Sequence, residues 1–314
     1  MIRLLLFGIC LAHLGCQAAP PIRVETDRSQ TDAVSTSSEG SNCSAARDAE
    51  ESTTHGSNQT VAATMLEVPE GITVLGSTEA EAEHALELCR SDPSTTRDDC
   101  KGNYWEETPQ RQANIPRFWL DKFEVTVSEY EDCVEASHCT KPNSSAAFCE
   151  DNTFMLGLDD HPVNCVDWHQ AIAYCDWRGK RLPNADEWEK AARGSDGQTF
   201  PWGEEALACE QVSRPYRGRC GDWTSSDSPT APVGSVLLDR SPYDALDMAG
   251  NVSEWTATRH TDGFRVIKGG SLFSTLDGLR GARFRFGSED APDGLVGFRC
   301  AYSDDIKLDH DDQQ

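Results

Sequence analysis

Thirteen cysteines stand in a chain of 314 residues, and their thiols are the side chains best placed to do chemistry. Thiols cross-link in exported proteins or ligate soft metals. Cys10 lies in an apolar leader, Cys16 at its end and Cys43 in a Ser/Thr-rich stretch. Ten remain: Cys89, Cys100, Cys133, Cys139, Cys149, Cys165, Cys175, Cys209, Cys220 and Cys300. A zinc site needs tight ligand pairs such as C-x-x-C or H-x-x-x-H, and neither spacing occurs. An even set in an exported, loop-rich chain points instead to a disulfide framework. Connectivity stays open at this level. The local pairs 89–100, 133–139, 149–165 and 209–220 are the simplest assignment, and they leave Cys175 for Cys300. In the chain-entropy account each short loop contributes about 2–3 kcal/mol and the long one about 4–5 kcal/mol as an upper bound.

The oxidising compartment this requires is consistent with the N-terminus. Arg3 precedes an apolar run from Leu4 to Leu14, then Gly15-Cys16. This reads as a secretory signal over residues 1–15, too short for a stable spanning helix. Leu14-Gly15-Cys16 resembles the bacterial lipobox, although His13 replaces its usual Leu. The resemblance implies diacylation of Cys16, each buried CH₂ of the lipid contributing about 0.8 kcal/mol. Gln17 after it resembles outer-membrane lipoproteins of Gram-negative hosts; the alternative is an ordinary signal cleaved near Ala18-Ala19. Residues 16–64 lack aromatics and are about a third Ser and Thr, so they cannot bury enough apolar surface to offset ordering entropy. They read as a stalk, residues 65–303 as one domain and 304–314 as an acidic tail. The formal charge of −25, from 53 acidic and 28 basic residues, argues against nucleic acid, whose phosphates need Lys and Arg. It argues equally against an electrostatic hold on anionic lipid.

Three helices must position the middle of the domain, each announced by a capping box: Thr126 with Glu129, Asp167 with Gln170, and Asn184 with Glu187. Ile72–Ser77 and Phe118–Val125 are strand candidates. After Gly194 the chain turns irregular, with short strand candidates only. The reading is α+β, with much loop.

The wording of that domain then becomes specific. Pro162-Val163-Asn164-Cys165-Val166-Asp167-Trp168 precedes Ala173-Tyr174-Cys175-Asp176-Trp177-Arg178-Gly179-Lys180-Arg181-Leu182-Pro183. Phe200-Pro201-Trp202-Gly203, Met248-Ala249-Gly250-Asn251-Val252-Ser253-Glu254-Trp255, Lys268-Gly269-Gly270-Ser271 and Gly297-Phe298-Arg299-Cys300 follow in order. From Met65 to Tyr302 this resembles the formylglycine-generating enzyme family, or sulfatase-modifying-factor domain. The resemblance implies one compact α+β unit with little regular structure, related to C-type lectins. It also implies a disulfide between Cys175 and Cys300.

The family's active enzymes oxidise a sulfatase cysteine to formylglycine with oxygen and Cu(I), held by two thiolates after the G-G-S motif. Here the first thiolate position falls on Ser274 and the second near Leu279, in a segment about four residues shorter. Cu(I) is soft, and hydroxyls do not replace sulfur. Cys149 and Cys165 are already placed in the framework. The iron-dependent branch of the family is excluded too, since the eight histidines are scattered. Ser271 matches the cleft serine of G-G-S, though without copper it reads as a backbone-satisfying hydroxyl. Ser253 stands where many active members have an aromatic cleft residue. Asp247, Gly250, Val252 and Glu254 match a structural calcium site, the glycine and valine through backbone carbonyls; two carboxylates and two carbonyls suit that hard cation. Arg280, Arg283, Arg285 and Arg299 read as partners of buried acids rather than as an anion cleft. The expectation is a tethered, monomeric, non-copper module for a peptide, glycan or partner protein. The alternative is a diverged formylglycine-generating oxidase.

Overall fold

The computed structural model describes residues 65–92, 95, 100, 104–145, 149, 152–207 and 230–304. The leader, Cys16, the stalk with Cys43, the Cys209 and Cys220 pair and nearly all of the acidic tail lie outside them. Among the described residues, three small sheets and four α-helices carry the fold. β1 (Leu66–Val68), β4 (Phe118–Leu120) and β9 (Ala301–Tyr302) form one antiparallel sheet in the order β1-β4-β9. β2 (Gly71–Leu75) pairs with β3 (Arg111–Ile115). β5 (Ser253–Thr261), β6 (Phe264–Lys268), β7 (Phe284–Ser288) and β8 (Val296–Gly297) make a third sheet ordered β7-β6-β5-β8, in which only β5 and β8 run parallel.

All three expected capping boxes form, opening α2 (Val127–Glu135), α3 (Trp168–Trp177) and α4 (Ala185–Arg193). Thr78 and Glu81 make a fourth, ahead of α1 (Glu79–Ser91). This helix was not among the expected elements, although T-x-x-E is plain in the sequence. The strand expected over 118–125 stops at Leu120, where the Asp121 carboxylate turns to Lys180 and the Cys300 N–H. The chain after Gly194 holds more order than expected, since β5 is nine residues long.

The largest core joins α2 and α3 to the inner face of the third sheet. Tyr130 stacks on Tyr174, and Phe298 meets both rings edge-on. A second core packs Trp188, Ala191 and Ala192 of α4 against the β1-β4-β9 sheet. Four disulfides staple these parts: Cys89–Cys100, Cys133–Cys139, Cys149–Cys165 and Cys175–Cys300. The last ties α3 to the end of the chain with a Cα separation of 5.7 Å. Among the described residues no helix is long and apolar enough to cross a membrane.

Candidate functional site

A glycine brings the decisive loop into place. A Cβ at Gly270 would lie 2.4 Å from the Ala249 carbonyl, so only glycine lets the end of β6 press against the turn at 247–252. The Leu272 N–H then donates to the Asn251 carbonyl at 2.8 Å. In the loop that follows, Ser274 Oγ accepts from the Ser271 N–H at 2.9 Å, and the Ser274 N–H donates to the Ser271 carbonyl at 2.9 Å. Ser274 is thus committed to a backbone turn, and Ser271 is buried beside it. Leu279 is fully buried in an apolar cluster with Phe200 and Ala249. A hydroxyl stands where the family resemblance sets the first thiolate, and an isobutyl group stands near where it sets the second. Every cysteine among the described residues is in one of the four disulfides. The donor set does not fit Cu(I).

The same loop is covered by the segment after α1. A single-turn 3₁₀ helix, Tyr104–Glu107, follows the Cys89–Cys100 link. The Tyr104 hydroxyl donates to Asp277 at 2.7 Å. Arg280 makes two parallel bonds of 2.8 Å to the Glu107 carboxylate, which also accepts from Ser77 Oγ at 3.0 Å. Glu107 and Arg280 are both buried. Burial, helped by the Asp277 charge, raises the Tyr104 hydroxyl well above its ordinary value.

Four carboxylates surround the turn at 247–254. Asp247 and Asn251 adopt left-handed backbone conformations, with φ of 58° and 59°. Asp247 accepts from the Gly234 N–H, Asp239 from the Ala249 N–H at 2.9 Å, and Glu124 from Asn251 Nδ2 at 2.7 Å and the Val252 N–H at 3.1 Å. Glu254 is held by Arg299 at 2.7–2.9 Å and by Trp188 Nε1 at 2.7 Å. Arg299 spends its other donors on the Lys122 and Leu246 carbonyls. Burial pushes Asp247 up to about 6 and Asp239 up to about 8. It also raises Glu124, with the Asp247 and Glu254 charges adding to the effect. Asp239 Oδ1 is buried without a hydrogen-bond partner. The oxygen-rich surroundings and surplus carboxylate suit a hard cation in kind, whereas Glu254 is already neutralised by a guanidinium. Among the described residues no three His, Cys, Asp or Glu side chains converge as a metal site.

The structure therefore brings Asp247, Gly250, Val252 and Glu254 onto one turn and Ser271, Ser274 and Leu279 onto one loop. Ser253 is buried where β5 meets β8. The arginines take acids: Arg280 pairs with Glu107, Arg285 with Asp293 and Arg299 with Glu254, while Arg283 stands 4.0 Å from Glu107. Reasoning from sequence missed Glu107, Glu124 and Asp239. Their burial is set by contacts far along the chain, and no local spacing marks three carboxylates among 53 acidic residues.

A disulfide-stapled α+β domain with small sheets and a G-G-S loop belongs, as a class, with C-type-lectin-like folds. Two solved structures share that fold. PvdO from Pseudomonas aeruginosa matches with a TM-score of 0.54 and 18% identity, over 76% of this chain and 94% of that one. Treponema denticola variable protein 1 matches with a TM-score of 0.51 and 17% identity, over the same 76% and 94%. Residues 50–304 match the sulfatase-modifying factor enzyme 1-like domain, and the chain belongs to this formylglycine-generating family. Curated relatives include the inactive Cα-formylglycine-generating enzyme 2 of Bos taurus, 36% identical over 45% of this chain and 50% of its own length. The Mus musculus protein of the same name is 36% identical over 59% of this chain and 65% of its own. The formylglycine-generating enzyme of Streptomyces coelicolor is 32% identical over 55% and 60%. The chain spans about half to two thirds of these relatives' length.

Proposed function

We propose that this chain is a non-copper member of its family, a binding or accessory module exported to the bacterial envelope. The observation that carries the reading is that Ser274 and Leu279, on and near which the family resemblance sets the two thiolates, are both committed to the fold. One is bonded into a turn and the other packed into a core. Two relatives bear the name of an inactive enzyme, which supports it. The covering of this loop by the stapled 79–107 segment agrees, because it gives Arg280 and Asp277 structural partners. The test is chemical. Purified protein given Cu(I), oxygen and a C-x-P-x-R peptide leaves the peptide thiol intact; conversion of that cysteine to an aldehyde would establish the oxidase alternative instead.

The reading includes a lipid tether on Cys16 at the outer membrane, supported by the Leu14-Gly15-Cys16 motif. Mass spectrometry of the mature N-terminus should find a diacylated Cys16, and an unmodified Gln or Ala start contradicts the tether. It also includes a structural calcium at Asp247, Gly250, Val252 and Glu254. Burial raises the carboxyls of Glu124, Asp239 and Asp247 and so favours their neutral forms; a bound cation would bring them back to the charged form as its ligands and neighbours.

A further inference from the structure

The third sheet has two unlike faces. On the inner one, Trp255 and Ile267 belong to the main core. On the other, the register sets Lys268 beside Phe284, Val266 beside Phe286 and Phe264 beside Ser288. Helix α4 covers only part of this face. Trp188 reaches Glu254, Glu189 reaches Lys268 at 2.9 Å, and the Ala185 N–H donates to Thr258 Oγ1 at 2.8 Å, where the coverage ends. Beyond Thr258 the face is bare and aromatic. Phe264 and Phe286 are 40% and 41% exposed. The His260 ring lies parallel to Phe286 at 4.2 Å, with Phe264 edge-on to Phe286 at 6.0 Å.

At the step between covered and bare halves a cavity of about 320 Å³ opens, lined by His260 and Phe284 on one side and Asp186, Arg111 and Glu106 on the other. That volume is at the lower end of the roughly 300–1,000 Å³ typical of small-ligand sites. Its floor is the Lys268–Glu189 pair, and Arg111 is paired with Asp186 at its rim. The lining charges are thus largely matched, with Glu106 as the remaining one. An anionic ligand meets Glu106 and carboxylates that already hold their cations, and a basic peptide gains a single acid. A neutral ring with hydroxyls at its edge and C–H bonds on its faces meets what is there. The paired carboxylate and guanidinium present fixed acceptors and donors, while the parallel His260 and Phe286 rings offer dispersion contacts.

We propose that this shelf and cavity bind a neutral saccharide. The proposal rests on the binding-module reading and deepens it by naming a ligand class and a place on the third sheet. Calorimetric titration of the purified mature chain with neutral gluco-, manno- and N-acetylglucosamine oligosaccharides should find at least one that binds. Phe286→Ala and Asp186→Asn should each weaken it by about tenfold or more with the melting temperature of the parent. No binding at millimolar concentration, or binding that neither variant weakens, overturns the proposal; so does a basic peptide that binds the shelf in preference to every saccharide. The same preparation assayed for thiol oxidation separates the two failures. An active oxidase that binds saccharide refutes the functional reading alone, and an inert protein that binds none refutes the saccharide alone.

Discussion

Ser274 and Leu279 are both built into the fold of the loop after Gly270. Neither position is left open. Ser274 satisfies a backbone N–H, and Leu279 fills a cluster reached by Phe200 and Ala249. Leu279→Ala should therefore cost about 2–5 kcal/mol in a urea titration, the range for deleting a buried leucine side chain; a loss well below that would mean the loop is not packed as described. Glu189 has a different signature. Burial alone would raise its carboxyl, yet Lys268 and Arg193 outweigh burial and hold it below its ordinary value of 4.5. A depressed folded value means that its contribution is complete above the unfolded value and is lost as pH falls through the folded one. The stability difference between the parent and Glu189→Gln should then shrink on acidification below about pH 4.5; a difference that stays constant or grows contradicts the pairing. Much of this was open to sequence reasoning, because a missing thiol is visible without coordinates. The partners of Arg280 and Arg299 were not. Glu107 and Glu254 lie 173 and 45 residues away from them, and no local pattern selects them from a strongly acidic chain.

Among the elements, α1 and its disulfide matter most, since they lead into the segment whose Tyr104 and Glu107 cover the loop at 271–280. Glu107→Ala leaves Arg280 buried and unpaired, and should cost about 3–5 kcal/mol in equilibrium unfolding. Replacing Cys89 and Cys100 together by serine removes a link between residues 11 apart and should cost about 2–3 kcal/mol. A stability unchanged by both variants would show that the segment does not clamp the loop. The helices were legible because capping boxes are local: Thr126, Asp167 and Asn184 each name a start with a partner three residues on. Thr78 followed the same rule ahead of an alternating Glu-Ala stretch whose apolar stripe is narrow, Ala82, Ala85 and Cys89. Strand β5 was hidden for another reason. Register shifts between Trp255 and Arg259 and again before Thr261 break the period-2 pattern that marks a strand.

For the molecule as a whole, the disulfides hold together a domain whose sheets have only two to four strands. The local pairings 89–100, 133–139 and 149–165 are formed, as is the long-range Cys175–Cys300 link. The Cys209 and Cys220 pair lies outside the described residues. The surplus of buried carboxylate around Arg299 is a second whole-molecule property, because its members come from the turns before α2, before β5 and near Asp239. Saturating EDTA should lower the melting temperature by several degrees through loss of the calcium-bound state, and added Ca²⁺ should restore it; an unmoved melting curve speaks against the cation. Whether this family member has given up the copper reaction is decided by Cu(I) titration of the purified domain alongside the C-x-P-x-R peptide assay. The expected outcome is no tight stoichiometric copper site and an unaltered peptide cysteine. One Cu(I) bound tightly per chain together with an aldehyde at that cysteine would contradict it.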